Sequence, residues 1–307
     1  MATETTQTVT DAPSVTHLSP SPLLTDLNRD GYVIIPNALS PEQLTSLREA
    51  AGHITDLARK GQWPYIRTLP KQFPPWSSDP SNGIWGVQHL MHPDMPGQPL
   101  FAASYFTDAV VRPVMDLIGC TDDSELIMEL YNLLVRPDSD FELRWHRDDI
   151  AATATAEEEL ARLNKPAWHA QWNLALYDDA SLIVVPGSHA RARTDAERAA
   201  DPFEKNMPGQ KIVQMKAGDV VFYNNNILHR GAYSASVERA TLHGSIGHVK
   251  GNKERARNVL QHGVGAWVDK VDFSALPEEL RGRAENMRRR LKQMGDVSGD
   301  VGFAHDD

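Results

Sequence analysis

Cysteine is nearly absent from this sequence: Cys120 stands alone among 307 residues. That excludes an internal disulfide and any thiolate cluster for zinc or iron–sulfur. It fits a reducing, intracellular setting, and Cys120 itself reads as a small buried hydrophobe. A basic surplus is lacking too. The formal charge is −10, whereas nucleic acid and anionic membranes demand a concentrated positive surface. The expected partner is therefore a small molecule. No apolar run approaches the length that spans a bilayer. No glycine-rich phosphate loop occurs, and Gly187-Ser188-His189 does not make a nucleophile elbow. The first 22 residues have neither a basic n-region nor an apolar h-region, and the closing AHDD matches no retention or peroxisomal signal. The expectation is a cytoplasmic protein.

What is present suits a packed domain. Hydrophobic residues make up 41% and charged residues 23%, enough for a sizeable core. Residues 1–22, rich in Ser, Thr and Pro, read as a disordered lead-in. Residues 23–295 read as one domain with no repeat or linker, and 296–307 as a flexible tail. After the Asp30-Gly31 turn, GYVIIPN (31–37) is strand-like. Ser40-Pro41-Glu42-Gln43 then opens a helix with a capping box, which Gly61 stops. The stretch 62–83 holds Trp63, Tyr65, Pro70, Pro74, Pro75 and Trp76 and reads as a long aromatic loop, a lid or a surface-packed segment. From 125 the pattern becomes β: 125–137, then 142–149 after a turn, 167–177, 181–186, and further runs up to RATLHGSIG. Their spacing is that of a sandwich or small barrel. Short helices are expected at 155–164 and after Thr194, and a charged helix with a solvated basic face at 277–294.

The chemical signal is Trp145-His146-Arg147-Asp148. Alternation along a strand puts His146 and Asp148 on one face and turns Asp149 away. Two imidazoles and one carboxylate, with the other positions open, are the donor set for O₂ chemistry at iron(II). An H-x-D triplet alone recurs by chance. Downstream, however, stand Gly218-Asp219, VVFYNN, Ile227-Leu228-His229-Arg230-Gly231 and then Arg239. A strand–turn–strand brings His229 opposite the pair. Arg239, ten residues on, can grip a distant carboxylate bidentately, as a dicarboxylate cosubstrate requires. Arg230, adjacent to the histidine, should point away.

These residues resemble the phytanoyl-CoA dioxygenase family of iron(II)- and 2-oxoglutarate-dependent oxygenases. The likeness covers about residues 22–250: GYVIIPNALSPEQLTSLR, VRP before WHRD, LYDDASLIVVPGSH, and GDVVFYNNNILHRG followed by Arg239. The pieces are specific in their order and spacing. The resemblance implies a mainly β double-stranded β-helix (jelly-roll) core with flanking helices. It implies Fe(II), 2-oxoglutarate and O₂ as cofactors, His146, Asp148 and His229 as metal ligands, and Arg239 as the anchor of 2-oxoglutarate. Asn132 and Trp172 lie on strands that in the family often supply further cosubstrate contacts.

Other residues have plainer readings. His189 caps a turn. His243 shares the face of Arg239 and Thr241, as a pocket or core histidine. Arg144 touches substrate or pairs with Glu142. Gln88 and His89 are structural before they are substrate contacts. The expected reaction is oxidation, foremost hydroxylation, of a C–H bond in a small organic substrate, a specialised metabolite or an acyl thioester. The aromatic 62–83 segment suggests an apolar or ring-bearing one. Two alternatives stand beside this: a metal-dependent isomerase or O₂-using enzyme without 2-oxoglutarate, which has no need of Arg239, and a silent binding module, which should have lost a ligand.

Overall fold

The computed structural model describes residues 21–166 and 168–301. The expected disordered lead-in thus lies outside the described residues up to position 20. Ser21 and Pro22 already belong to a helix, Pro22–Asp30, whose first turn the Ser21 hydroxyl caps at 3.1 Å from the Leu24 N–H.

Eleven strands follow. They are β1 (Tyr32–Ile35), β2 (Ile66–Thr68), β3 (Ile84–Val87), β4 (Leu126–Val135), β5 (Phe141–Glu142) and β6 (His169–Ala175). Then come β7 (Leu182–Val184), β8 (Lys211–Ile212), β9 (Val220–Tyr223), β10 (His229–Tyr233) and β11 (Ala240–His248). Seven make one antiparallel sheet in the order β1-β9-β6-β11-β4-β3-β2, and four make a smaller one, β5-β10-β7-β8. From β4 onward the chain passes back and forth between the two sheets, which is the jelly-roll path of a double-stranded β-helix.

The main core is not between the sheets. Tyr131, Leu133, Trp172, Leu174, Phe222, Leu242 and Ile246 leave the outer face of the large sheet and pack under the helices Pro41–Arg59, Gln98–Phe106, Asp108–Ile118 and Glu278–Gly295. Each such fully buried side chain contributes about 1.5–3 kcal/mol. Helix registers follow from the sequence: Leu47, Ala51, Ile54 and Ala58 face the core from the first of these, and Ser40 with Gln43 closes its capping box. Because strand side chains alternate, the residues between the apolar ones face inward. They are polar: Asn132, Gln171, Asn173, His243 and Ser245 line a cavity of about 930 Å³ between the sheets. One close approach fixes the register there. Gly244 pairs with Trp172, and a Cβ on Gly244 would lie 2.4 Å from the indole.

Three expectations need correction. The 62–83 stretch is not all loop, because β2 lies within it and pairs with β3. The 142–149 segment is a strand only at its start; beyond Glu142 it is held by single bridges, His146 to His229 and Arg147 to Ile150. The last helix presents only Arg281 and Arg289 to solvent. Arg283 binds Asp123, Asp108 and the Phe106 carbonyl, while Arg288 and Arg290 bind carbonyls of neighbouring segments. In the expected tail, Asp300 pairs with Arg257, and the Val301 N–H donates to Gln261 at 3.0 Å. Residues 302–307 lie outside the described residues. Among the described residues no helix is long and apolar enough to cross a membrane.

Candidate metal and cosubstrate centre

His146 and Asp148 stand on the irregular segment after β5, and His229 opens β10; the His146–His229 backbone bridge brings them together, with N–H···O distances of 3.0 Å both ways. Ligand atoms of all three residues lie within 4.8 Å of one another. Asp148 Oδ1 is 3.5 Å from His146 Nε2 and 3.6 Å from His229 Nε2.

The neighbours aim these atoms. His146 Nδ1 lies 2.9 Å from the Arg144 carbonyl, and His229 Nδ1 lies 2.8 Å from that of Ile227. Each ring thus donates from Nδ1 and leaves the Nε2 lone pair toward Asp148, the outer-shell arrangement that fixes a ligating tautomer. Gln171 Nε2 donates to Asp148 Oδ2 at 3.0 Å and leaves Oδ1 facing both imidazoles. Burial alone would raise the Asp148 pKa, but His229, His146 and Gln171 reverse this and hold the carboxyl well below its ordinary range. Burial, with His146 beside it, lowers His229 to about 4. A carboxylate and neutral imidazoles are what a divalent metal needs. Bonds of about 2.1 Å place adjacent donors of a six-coordinate ion roughly 3 Å apart, and Asp148 Oδ1 already stands close to that separation from both imidazoles. Gln72 and Phe73 pack over His146, at 3.2 Å from Nδ1 and 5.5 Å between rings. The aromatic stretch therefore covers the centre.

The residues between and beside the trio turn elsewhere. Arg147 donates to the Ser188 carbonyl at 2.9 Å and to that of Asn226. Asp149 pairs with Arg162 and Asn225, not with the trio. Arg230 pairs with Glu142 at 3.2 Å and lies over the Trp145 ring rather than beside the trio. With Glu142 taken by Arg230, Arg144 lies over Phe73 instead.

Arg239 precedes β11 on the opposite sheet from His229, and so faces it across the cavity. Its Nε donates to Asp179 Oδ2 at 2.8 Å and to Ser181 Oγ at 3.0 Å, and its guanidinium lies 4.3 Å from the Tyr233 ring centroid. Its Nη1 is buried with no partner. A buried donor without an acceptor costs about 1–3 kcal/mol, and a ligand carboxylate would satisfy it. The residues therefore fit a distal 2-oxoglutarate carboxylate as well as the metal.

Of the further contacts expected from the resemblance, Asn132 lines the cavity, with its Oδ1 accepting the His89 N–H at 3.0 Å. That bond holds His89 at φ 65°. Trp172 is not in the cavity. It is fully buried in the outer core against Tyr105, Tyr131 and Phe222, one residue out of phase with the inward face of β6. Gln171 and Asn173 occupy that face. His243 lines the cavity and bonds Asn173 at 2.8 Å; burial drops it to about 3, so it is neutral. Gln88 and His89 line the cavity as well. His189 sits in a tight turn but does not cap it; its ring bonds the Asn28 carbonyl near the end of the first helix. Gln72, Gln171, Asn173 and Arg67 went unnoticed in the sequence. The signal for Gln171 and Asn173 was there: polar residues at every second position of an otherwise apolar strand.

The model of the family described as phytanoyl-CoA dioxygenase matches residues 27–239. No curated protein sequence matches the chain. Among solved structures, AviO1 from Streptomyces viridochromogenes Tue57 is similar at 18% identity and TM-score 0.53, covering 76% of this chain and 96% of its own. EctD from S. alaskensis, solved with 2-oxoglutarate and 5-hydroxyectoine, is similar at 20% identity and TM-score 0.54, covering 80% of each chain. The α-ketoglutarate-dependent epimerase SnoN from nogalamycin biosynthesis is similar at 18% identity and TM-score 0.50, covering 74% of this chain and 79% of its own.

Proposed function

Because the chain belongs to the phytanoyl-CoA dioxygenase family, and is thereby an iron(II)- and 2-oxoglutarate-dependent oxygenase, we propose that it hydroxylates a C–H bond of a small organic substrate held in the cavity between the sheets. His146, Asp148 and His229 hold the metal, and Arg239 holds the far carboxylate of 2-oxoglutarate. One observation carries this reading: three convergent ligand atoms and the unpartnered Nη1 of Arg239 share a single cavity.

Bound iron and 2-oxoglutarate would let O₂ act as the oxidant, one oxygen atom going to 2-oxoglutarate, which leaves as succinate and CO₂, and the other to the substrate's C–H bond. The chain's own residues do the positioning. Asp179 and Ser181 fix the Arg239 fork before cosubstrate arrives, which lowers the entropy lost on binding. Gln171 fixes Asp148, and the backbone carbonyls fix both imidazoles. Gln72 and Phe73 keep bulk water off His146, while Phe73, Trp76 and Trp85 give the substrate an apolar wall. A neutral His243 beside Asn173 offers no charge to compete for the cosubstrate. The solved relatives EctD and SnoN support a small-molecule substrate.

The test is succinate release by the iron(II)-loaded protein with ascorbate and 2-oxoglutarate across a panel of small organic candidates. At least one should raise succinate above the substrate-free rate and emerge with one added oxygen. Metal-dependent turnover of such a compound without 2-oxoglutarate consumption would favour a 2-oxoglutarate-independent enzyme.

A further inference from the structure

The cavity holds a second cation that the cosubstrate does not need. Arg67, on β2, lines it, and its guanidinium lies 5.1 Å from the ring centroids of both Trp76 and Trp85. Among the described residues it has no carboxylate partner and no hydrogen bond, and its Nε is buried. The sheet makes room for it. Arg67 pairs in register with Gly86, where a Cβ would come 3.0 Å from its side-chain Cδ. Burial lowers its pKa to about 10, still charged at neutral pH, and its electrostatic neighbours are Tyr233, Tyr223, Asp148 and Arg239. It therefore points into the same cavity as the metal trio.

The rest of the lining agrees. The chain is acidic overall, yet seven Lys and Arg line the cavity against three carboxylates, Asp148, Asp149 and Glu254. Most of those cations are neutralised: Arg162 by Asp149, Arg230 by Glu142, Arg239 by Asp179 and Arg255 by Glu129. Arg67 is not. A desolvated cation without a counter-charge is costly unless a ligand supplies one. 2-Oxoglutarate has one distal carboxylate, and Arg239 is already braced for it. Arg67 is left for another anion.

We propose that the substrate is a ring-bearing organic carboxylate, its acid group gripped by Arg67 and its flat body laid against Trp76 and Trp85. This rests on the cavity being the oxygenase active site. The two indoles hold the guanidinium by cation–π contact and leave its edge donors for a bidentate carboxylate.

The experiment uses protein loaded with iron(II) and 2-oxoglutarate under nitrogen. Indole-3-acetate, benzoate and 3-phenylpropionate are titrated against their primary amides by calorimetry, with wild type, Arg67→Met and Arg67→Lys. Wild type should bind at least one acid tenfold or more above its amide. Arg67→Met should lose that preference and Arg67→Lys keep part of it. The Tm of ligand-free Arg67→Met should equal or exceed that of wild type, since a half-buried cation with no counter-charge is removed, and its affinity for 2-oxoglutarate should stay within twofold. Binding of no acid, equal binding of acids and amides, a preference surviving in Arg67→Met, a fall in its Tm, or a weakened 2-oxoglutarate affinity would each overturn the proposal. Failure of wild type to bind 2-oxoglutarate at all would instead strike the oxygenase reading, and is seen before any acid is added.

Discussion

Arg239 holds a buried carboxylate within the protein and, in the proposed function, a second one on the cosubstrate. The second is lost in Arg239→Ala, and a charged hydrogen-bonded pair contributes roughly 1.5–3 kcal/mol. The KM for 2-oxoglutarate should rise at least about tenfold, while Arg230→Ala, which removes contacts with Glu142, the Phe203 carbonyl and the Trp145 ring, should leave it near the wild-type value. A 2-oxoglutarate titration of both variants at saturating iron checks this, and an unchanged KM in Arg239→Ala would refute the anchor. The first partner gives a pH signature. Burial alone would raise Asp179, and Arg239 and Ser181 instead hold it below its ordinary value. With the folded pKa depressed, the pair's stabilisation is present above about pH 4 and is lost as pH falls through the folded value. Without Arg239, burial wins and the Asp179 pKa rises. The variant is then destabilised, by about 3–5 kcal/mol where the carboxyl is charged, and recovers as pH falls. Melting curves should show the Tm gap from wild type widest at pH 8 and narrower at pH 5. Asp148 carries a different prediction. With His146, Asp148 and His229 all holding the metal, 2-oxoglutarate and O₂ would leave no position for halide. Mass spectrometry of product formed in chloride buffer should show oxygen added and no chlorine; chlorinated product from the unmodified protein would refute this.

At the scale of elements, β11 and β6 set the cavity's shape. Gly244 lies against Trp172, which has no room to move in a fully buried core. Gly244→Ala forces that ring or the strand to shift and should cost about 1–3 kcal/mol, read as a lower Tm. Gly282→Ala on the last helix, where a Cβ meets nothing within 4 Å, should not lower it. The same two strands show what the sequence disclosed. Their apolar/polar alternation was visible, and His146, Asp148, His229 and Arg239 stood out as imidazole and charged side chains set among strand-like apolar runs. The phase of β6 was misjudged at Trp172, since a large aromatic serves a core or a pocket equally well and only packing decides. Arg67 and Gln72 were illegible. They reach the site from a Pro-rich stretch whose path depends on tertiary contacts, not on local periodicity. The helix Gln98–Phe106 was missed because it is apolar on most sides and shows little helical contrast, and Asp108–Ile118, although amphipathic, because Pro113 stands inside it. The last helix was misread because arginines that bind backbone carbonyls look, in sequence, like arginines that face water.

At the scale of the whole molecule, packing and chemistry are divided between two faces of one sheet. Helices bury its outer face and supply the stability, which frees the inner face to carry polar and charged groups. The metal trio stands outside the helix-covered core, so substituting its histidines should leave the fold intact. The most direct measurement is an anaerobic calorimetric titration of metal-free protein with iron(II), then with 2-oxoglutarate. Wild type should take up one iron per chain and, only after iron, bind 2-oxoglutarate tightly. His146→Ala and His229→Ala should lose tight iron binding while keeping wild-type circular dichroism. Near-native iron affinity in either variant, or 2-oxoglutarate binding that does not depend on iron, would contradict the account.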